Sequence, residues 1–161
     1  MSLSVATSNA GIKLSGPGQS WSKVDIWTRN GDIRTTDDAK FALGGIFNAQ
    51  STNGRIELGA ISLAAGAKVD LDSTYGGITL GAAPATSTSA FSIKLFSVDG
   101  GATVKMPSNS SFTYSLSTTS GSKTVMGAKG ASSGVNGDSK AAQDRAINIG
   151  TVNSDIKITT L

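Results

Sequence analysis

The chain has 161 residues, and 24 Ser, 17 Thr, 20 Gly and 19 Ala fill half of its positions. Ile, Leu, Val and Phe still supply 35 residues and the net charge is only +3, so the composition predicts one folded domain over residues 1–161 rather than a disordered chain. Cys and His are both absent, which excludes disulfide frameworks, Cys- or His-centred nucleophilic catalysis and ordinary zinc sites, and no cofactor is expected.

The fourteen basic residues are scattered rather than clustered with aromatics, so nucleic-acid binding is not expected. No apolar run reaches the roughly 18–20 residues of a membrane span, so membrane insertion is not expected either. Residues 1–8 have neither the basic nor the apolar stretch of a signal peptide.

In chain order, residues 1–23, with Ile12, Leu14 and Trp21, read as an N-terminal cap. Residues 24–126 then carry a recurring pattern: VDIWTRNGDIRT (24–35), FNAQSTNGRIEL (47–58), VDLDSTYGGITL (69–80), IKLFSVDGGATV (93–104) and the looser YSLSTTSGSKTV (114–125). Short strand candidates such as Phe41–Leu43 and Ile61–Leu63 lie between the windows. Residues 127–146, rich in Gly, Ser, Ala and Lys, break the period and read as a flexible insertion. A last coil follows at 147–161, with INIGTVNSDIKI (147–158) as a sixth window.

Each window alternates apolar and polar residues, turns at a shared position, and alternates again, which is the period of a strand. The shared corners are Gly31, Gly54, Gly76, Gly100 and Gly121, spaced by 23, 22, 24 and 21 residues. A left-handed backbone, which glycine adopts without strain, accounts for glycine at a corner. The chain is therefore expected to be all-β, with two architectures open: a single-stranded β-solenoid of about 5–6 coils with ~22-residue repeats, or an antiparallel β-sandwich in which Asn30-Gly31 and Asn53-Gly54 make hairpin turns.

Alignment of the copies favours stacking. Ile33, Ile56, Ile78 and Ala102 fall in one inward column, Ile26, Ala49, Leu71 and Leu95 in another, and Thr28, Ser51, Ser73 and Ser97 form a column of hydroxyls. Outside, Asp32 falls over Arg55, Arg34 over Glu57, and Asp70 beside Lys94, opposite charges that help modestly at neighbouring positions.

These windows match an alternating V-x-[VIL]-x-[ST]-x-[NS]-G-[DSN]-I-x-[VL] pattern, and the chain resembles the adhesin-like β-solenoid domains of bacteria and fungi over roughly residues 24–106. The stretch ISLAAGAKVDLDSTYGGITLG (61–81) is also similar to filamentous-haemagglutinin-type passengers. The resemblance implies a non-enzymatic structural or adhesive role at a cell surface or in an extracellular matrix, and it brings no catalytic residue with it. Self-association through terminal coils or faces, and binding to glycans or a surface protein, are the partners it suggests.

Two site hypotheses come from the residues themselves. Trp27 and Phe96 occupy the same outward position in the first and fourth copies, where exposed aromatics stack on sugars or meet a partner. Asp70 and Asp72, two apart on one strand face, could hold a weak Ca²⁺. Asp37-Asp38 and Asp70 with Asp72 are also the acids that an alternative carbohydrate-active β-helix enzyme would use. A second alternative, an intracellular bactofilin-like polymer, follows from the Met start without a signal peptide.

Overall fold

A computed structural model of the chain describes residues 1–16, 18–36, 40–130 and 132–161. Strand occupies 61% of the chain and helix 3%, so the fold is all-β. The strands are β1 (Ser2–Thr7), β2 (Ile12–Leu14), β3 (Gln19–Thr28), β4 (Ile33–Thr35), β5 (Phe41–Ser51), β6 (Ile56–Leu63), β7 (Ala67–Ser73) and β8 (Ile78–Pro84). They continue as β9 (Phe91–Ser97), β10 (Ala102–Met106), β11 (Phe112–Thr118), β12 (Lys123–Val125), β13 (Ala128–Lys129) and β14 (Ser133–Asn136). A four-residue helix, α1 (Ser139–Ala142), precedes β15 (Arg145–Thr151) and β16 (Ile156–Thr160).

All sixteen strands join one curled sheet with mixed pairing. One row runs β1-β3-β5-β7-β9-β15-β11-β14 and the other β2-β4-β6-β8-β10-β16-β12-β13, linked where Phe41–Leu43 pairs with Ile61–Leu63. Every step along a row is parallel except the last, where β14 and β13 run antiparallel to β11 and β12. The strands flanking Asn30-Gly31 pair with different partners, β3 with β1 and β5, and β4 with β2 and β6. The hairpin sandwich is thereby overturned: the corner passes the chain from one row to the other instead of folding it back on itself.

Register follows the repeat spacing. Ile26, Ala49, Leu71 and Leu95 are neighbours in the first row, as are Ile33, Ile56, Ile78 and Ala102 in the second, and all eight are buried. Each large aliphatic buried in these columns contributes about 1.5–3 kcal/mol of transfer free energy.

Three expectations are corrected. Residues 1–23 extend the rows rather than cap them: Leu3, Val5 and Thr7 pair with Val24, Ile26 and Thr28, and Ile12 with Ile33. LSVATSNAGIKL (3–14) is thus a further copy, disguised because Ala10 stands where the five windows from 24 to 125 have glycine. The insertion at 127–146 supplies β13, β14 and α1, which cover the far end of both rows, while Ala131 lies outside the described residues.

The third correction concerns order. The last window does not stack last: β15 lies between β9 and β11, and β16 between β10 and β12. Polarity accounts for this. The window 147–158 turns Ile147, Ile149, Ile156 and Ile158 inward, and all four are buried between two neighbours. At the matching positions the window 114–125 has buried Leu116 and Val125 but half-buried Tyr114 and Lys123, and Lys123 reaches Ser132 with its ammonium at 2.9 Å. The more apolar segment takes the slot between two parallel windows, and the more polar one the end that only the short antiparallel β14 and β13 cover.

At the corners, glycine is required for a reason other than the one expected. Gly31, Gly54, Gly76 and Gly100 are not left-handed; of the five, only Gly121 has a positive φ, at 152°. A Cβ at Gly54 would stand 2.0 Å from the carbonyl oxygen of Gly31, and one at Gly76 would stand 2.0 Å from that of Gly54. At these corners the stacked backbones approach too closely for a side chain, whereas the equivalent corner of the last window carries Ser154.

The hydroxyl column closes the same corners. Ser73 Oγ accepts from Gly76 N–H and donates to the Gly54 carbonyl, each at 3.1 Å, and Ser51 and Ser97 repeat the arrangement. Outside, the Asp32 carboxylate accepts from Arg55 N–H at 2.7 Å, and Asp155, at the equivalent position, accepts from Ser122 N–H at 2.7 Å. Arg34 forms ion pairs with Asp32 and Glu57, whereas Asp32 meets the Arg55 backbone rather than its guanidinium. Asp70 and Lys94 are neighbours in register without forming an ion pair.

Candidate functional site

Side chains alternate along a strand, so β3 buries Val24, Ile26 and Thr28 and turns Lys23, Asp25 and Trp27 outward. Parallel pairing repeats that choice at each step and draws straight columns across the first row. The Trp27 column continues through Gln50, Asp72, Phe96, Gly150 and Ser117. The Asp25 column continues through Asn48, Asp70, Lys94, Asn148 and Ser115.

Trp27 and Phe96 are three strand steps apart, about 14 Å at the usual spacing of about 4.8 Å. They are 37% and 44% exposed, and the 127–146 segment covers the end of the rows rather than either ring. A groove of about 280 Å³ beside Trp27 is lined by Asp25, Asn48, Gln50, Asp70 and Asp72. Another of about 350 Å³ beside Phe96 is lined by Lys94, Asn148, Ser115 and Gly150, and Asp70 borders both. Gly150 makes room for the Phe96 ring: a Cβ there would stand 3.1 Å from Cδ2. The two grooves combine separated aromatic surfaces with amides, carboxylates and the Lys94 ammonium, a set suited to stacking and hydrogen bonding.

Partial burial, with the Asp70 charge adding to it, pushes the Asp72 carboxyl above its ordinary value. Asp70 and Asp72 point outward from the same strand, and the third carboxylate of this face, Asp25, is two strand steps from Asp70. Among the described residues no three His, Cys, Asp or Glu side chains converge, whereas Ca²⁺ takes six to eight oxygens. Asp37 and Asp38 lie outside the described residues. A cavity of about 640 Å³ lies on the second row between Thr35, Thr36, Lys40, Glu57 and Lys105.

Ile46 is 42% exposed, on the outward parity that β5 keeps along its whole length, whereas the register shift between Trp21 and Lys23 opposite Gly44-Gly45 resets the parity of β3, from Trp21 to Val24. A Cβ at Gly45 would meet Ser22 O at 1.9 Å, so the bulge depends on glycine, and the Gly-Gly pair is its signal in the sequence.

No protein-family model, curated protein or solved structure matches the chain.

Proposed function

We propose that the chain is a non-enzymatic β-solenoid with an adhesive or structural role at a cell surface or in an extracellular matrix, and that it binds glycans on the face of Trp27 and Phe96. Parallel register offsets of 21 to 24 residues in both rows support the solenoid description. One observation carries the binding role: two exposed aromatics share a straight outward column, with Gln50 and Asp72 between them. Aromatic faces stack on the apolar faces of sugars, while amides and carboxylates in the grooves bond hydroxyls.

A glycan array probed with the wild type, Trp27→Ala, Phe96→Ala and the double variant tests this. The expected result is retention of at least one glycan class by the wild type, with a tenfold or greater loss in each single variant. Retention of no glycan by the wild type, or undiminished binding by a folded double variant, would overturn it. Self-association has its own support in β1, which among the described residues pairs only with β3 and leaves its other edge open. Light scattering across a concentration series measures it, and a monomer throughout removes this part.

A further inference from the structure

Arg145 is the only charged residue among the buried polar side chains of the described residues, at 5% exposure. It opens β15 at an inward position. Its Nε donates to the Ser89 carbonyl at 2.9 Å, Nη1 to the Ser111 carbonyl at 3.4 Å, and Nη2 to the Ser87 carbonyl. Those bonds use three of the five N–H groups of a guanidinium and leave one on each Nη without an acceptor.

No carboxylate compensates the charge. The ion pairs among the described residues both belong to Arg34. Asp138 is engaged by the backbone N–H of Ala141 at 2.9 Å, and Asp144 is exposed. A buried cation facing only carbonyl dipoles is poorly compensated.

The guanidinium also lines a cavity of about 340 Å³, bounded by Thr86, Ser87, Asn109, Ser110 and Ala141. These walls offer hydroxyls and an amide and no acid. The volume lies at the lower end of the range for small-ligand sites. A planar fork with a free N–H on each arm fits two oxygens of one oxyanion.

We propose that this cavity binds the oxyanion group, a carboxylate, sulfate or phosphate, of a small polar ligand, and that Arg145 is its anchor. The site is distinct from the Trp27 and Phe96 face and does not depend on the role proposed for it.

The test is thermal unfolding of the full chain, titrated with sodium sulfate, sodium phosphate or sodium glucuronate at an ionic strength held constant with sodium chloride, with glucose as the neutral control. The inorganic arms and the glucuronate arm separate a free ion from a carboxylate carried on a sugar. At least one oxyanion is expected to raise the melting temperature saturably, by about 3–6 °C at ten times its dissociation constant, and glucose is not. Ala141→Trp, at an exposed position on the cavity wall, is expected to melt normally in chloride and to lose the shift; Asn109→Trp serves if it does not fold. Arg145→Lys keeps the charge without the fork and is expected to bind at least tenfold more weakly. A rise that never saturates and is shared by the filled variant is the general effect of excluded salts and overturns the proposal, as does the absence of any shift with all three anions.

Discussion

A methyl group added at Gly54 has no space. Its carbon would stand 2.0 Å from Gly31 O, 2.4 Å from Gly31 C and 2.8 Å from Ser51 Oγ, and two of those atoms are backbone of the neighbouring corner. Relief requires the two stacked corners to separate, which strains the bond from Gly54 N–H to Ser51 Oγ (2.9 Å) and the bond from Ser51 Oγ to Gly31 O (3.2 Å). Overpacking costs about 1–3 kcal/mol, and the two bonds add about 0.5–1.5 kcal/mol each. Alanine restricts the unfolded chain and returns about 0.4–1 kcal/mol. Gly54→Ala is therefore expected to destabilise the protein by about 1–6 kcal/mol. Gly44 is the internal control: a Cβ there meets nothing within 4 Å and the backbone is not left-handed, so Gly44→Ala is expected to be neutral or mildly stabilising. Urea unfolding followed by far-ultraviolet circular dichroism measures both. A Gly54→Ala protein within about 0.5 kcal/mol of wild type, the ordinary range of a surface change, would refute the close-approach argument, and so would an equal loss at Gly44.

Two further predictions concern pH. The Ser122 backbone N–H, with the Ser122 side chain as a second donor, holds the Asp155 carboxyl below its ordinary value. Its stabilising contribution is therefore present above pH 4 and fades as the pH falls through the lowered native value; Asp155→Asn should lower the urea midpoint at pH 6, and the deficit should shrink as the pH falls below 4. Asp72 runs the other way: burial, then the Asp70 charge, raises its carboxyl, so protonated Asp72 favours the folded state and that contribution is lost as pH rises through the raised value. Asp72→Asn should match wild type near pH 3 and exceed it at pH 7, and an advantage greater at pH 3 than at pH 7 would contradict the assignment.

Much of the architecture was legible because side-chain alternation and a 22-residue spacing are both direct consequences of stacking in register. Ile26, Ala49, Leu71 and Leu95 had to be neighbours if the corners coincided, and they are. Corner parity carried less information, since residues 28 and 33 share a face in either architecture and only the pairing partners of β3 and β4 separate the two. The first copy escaped notice because a single residue, Ala10, replaces the punctuating glycine. The order of the final two windows escaped because it depends on comparing their apolarity across a slot rather than on spacing along the chain. Trp27 and Phe96 fall on one column by alignment alone, while the change of inward parity in β3 between Trp21 and Val24 follows from the register shift opposite Gly44-Gly45. Arg145 carried one signal, the inward parity that it shares with Ile147 and Ile149, which alternation alone reads as the start of the strand rather than as a buried cation.

The interleaving of the last window changes how the protein bears a load. In an array stacked in chain order, tension entering at the far terminus peels the outermost strand, and only one ladder resists at a time. Here tension through Thr160 and Leu161 pulls on β16, which is bonded on one side to β10 and on the other to β12. Behind it, β15 is bonded to both β9 and β11. Two ladders must shear together before the segment moves, so the C-terminal end is a mechanical clamp whose resistance comes from topology rather than from any stronger bond.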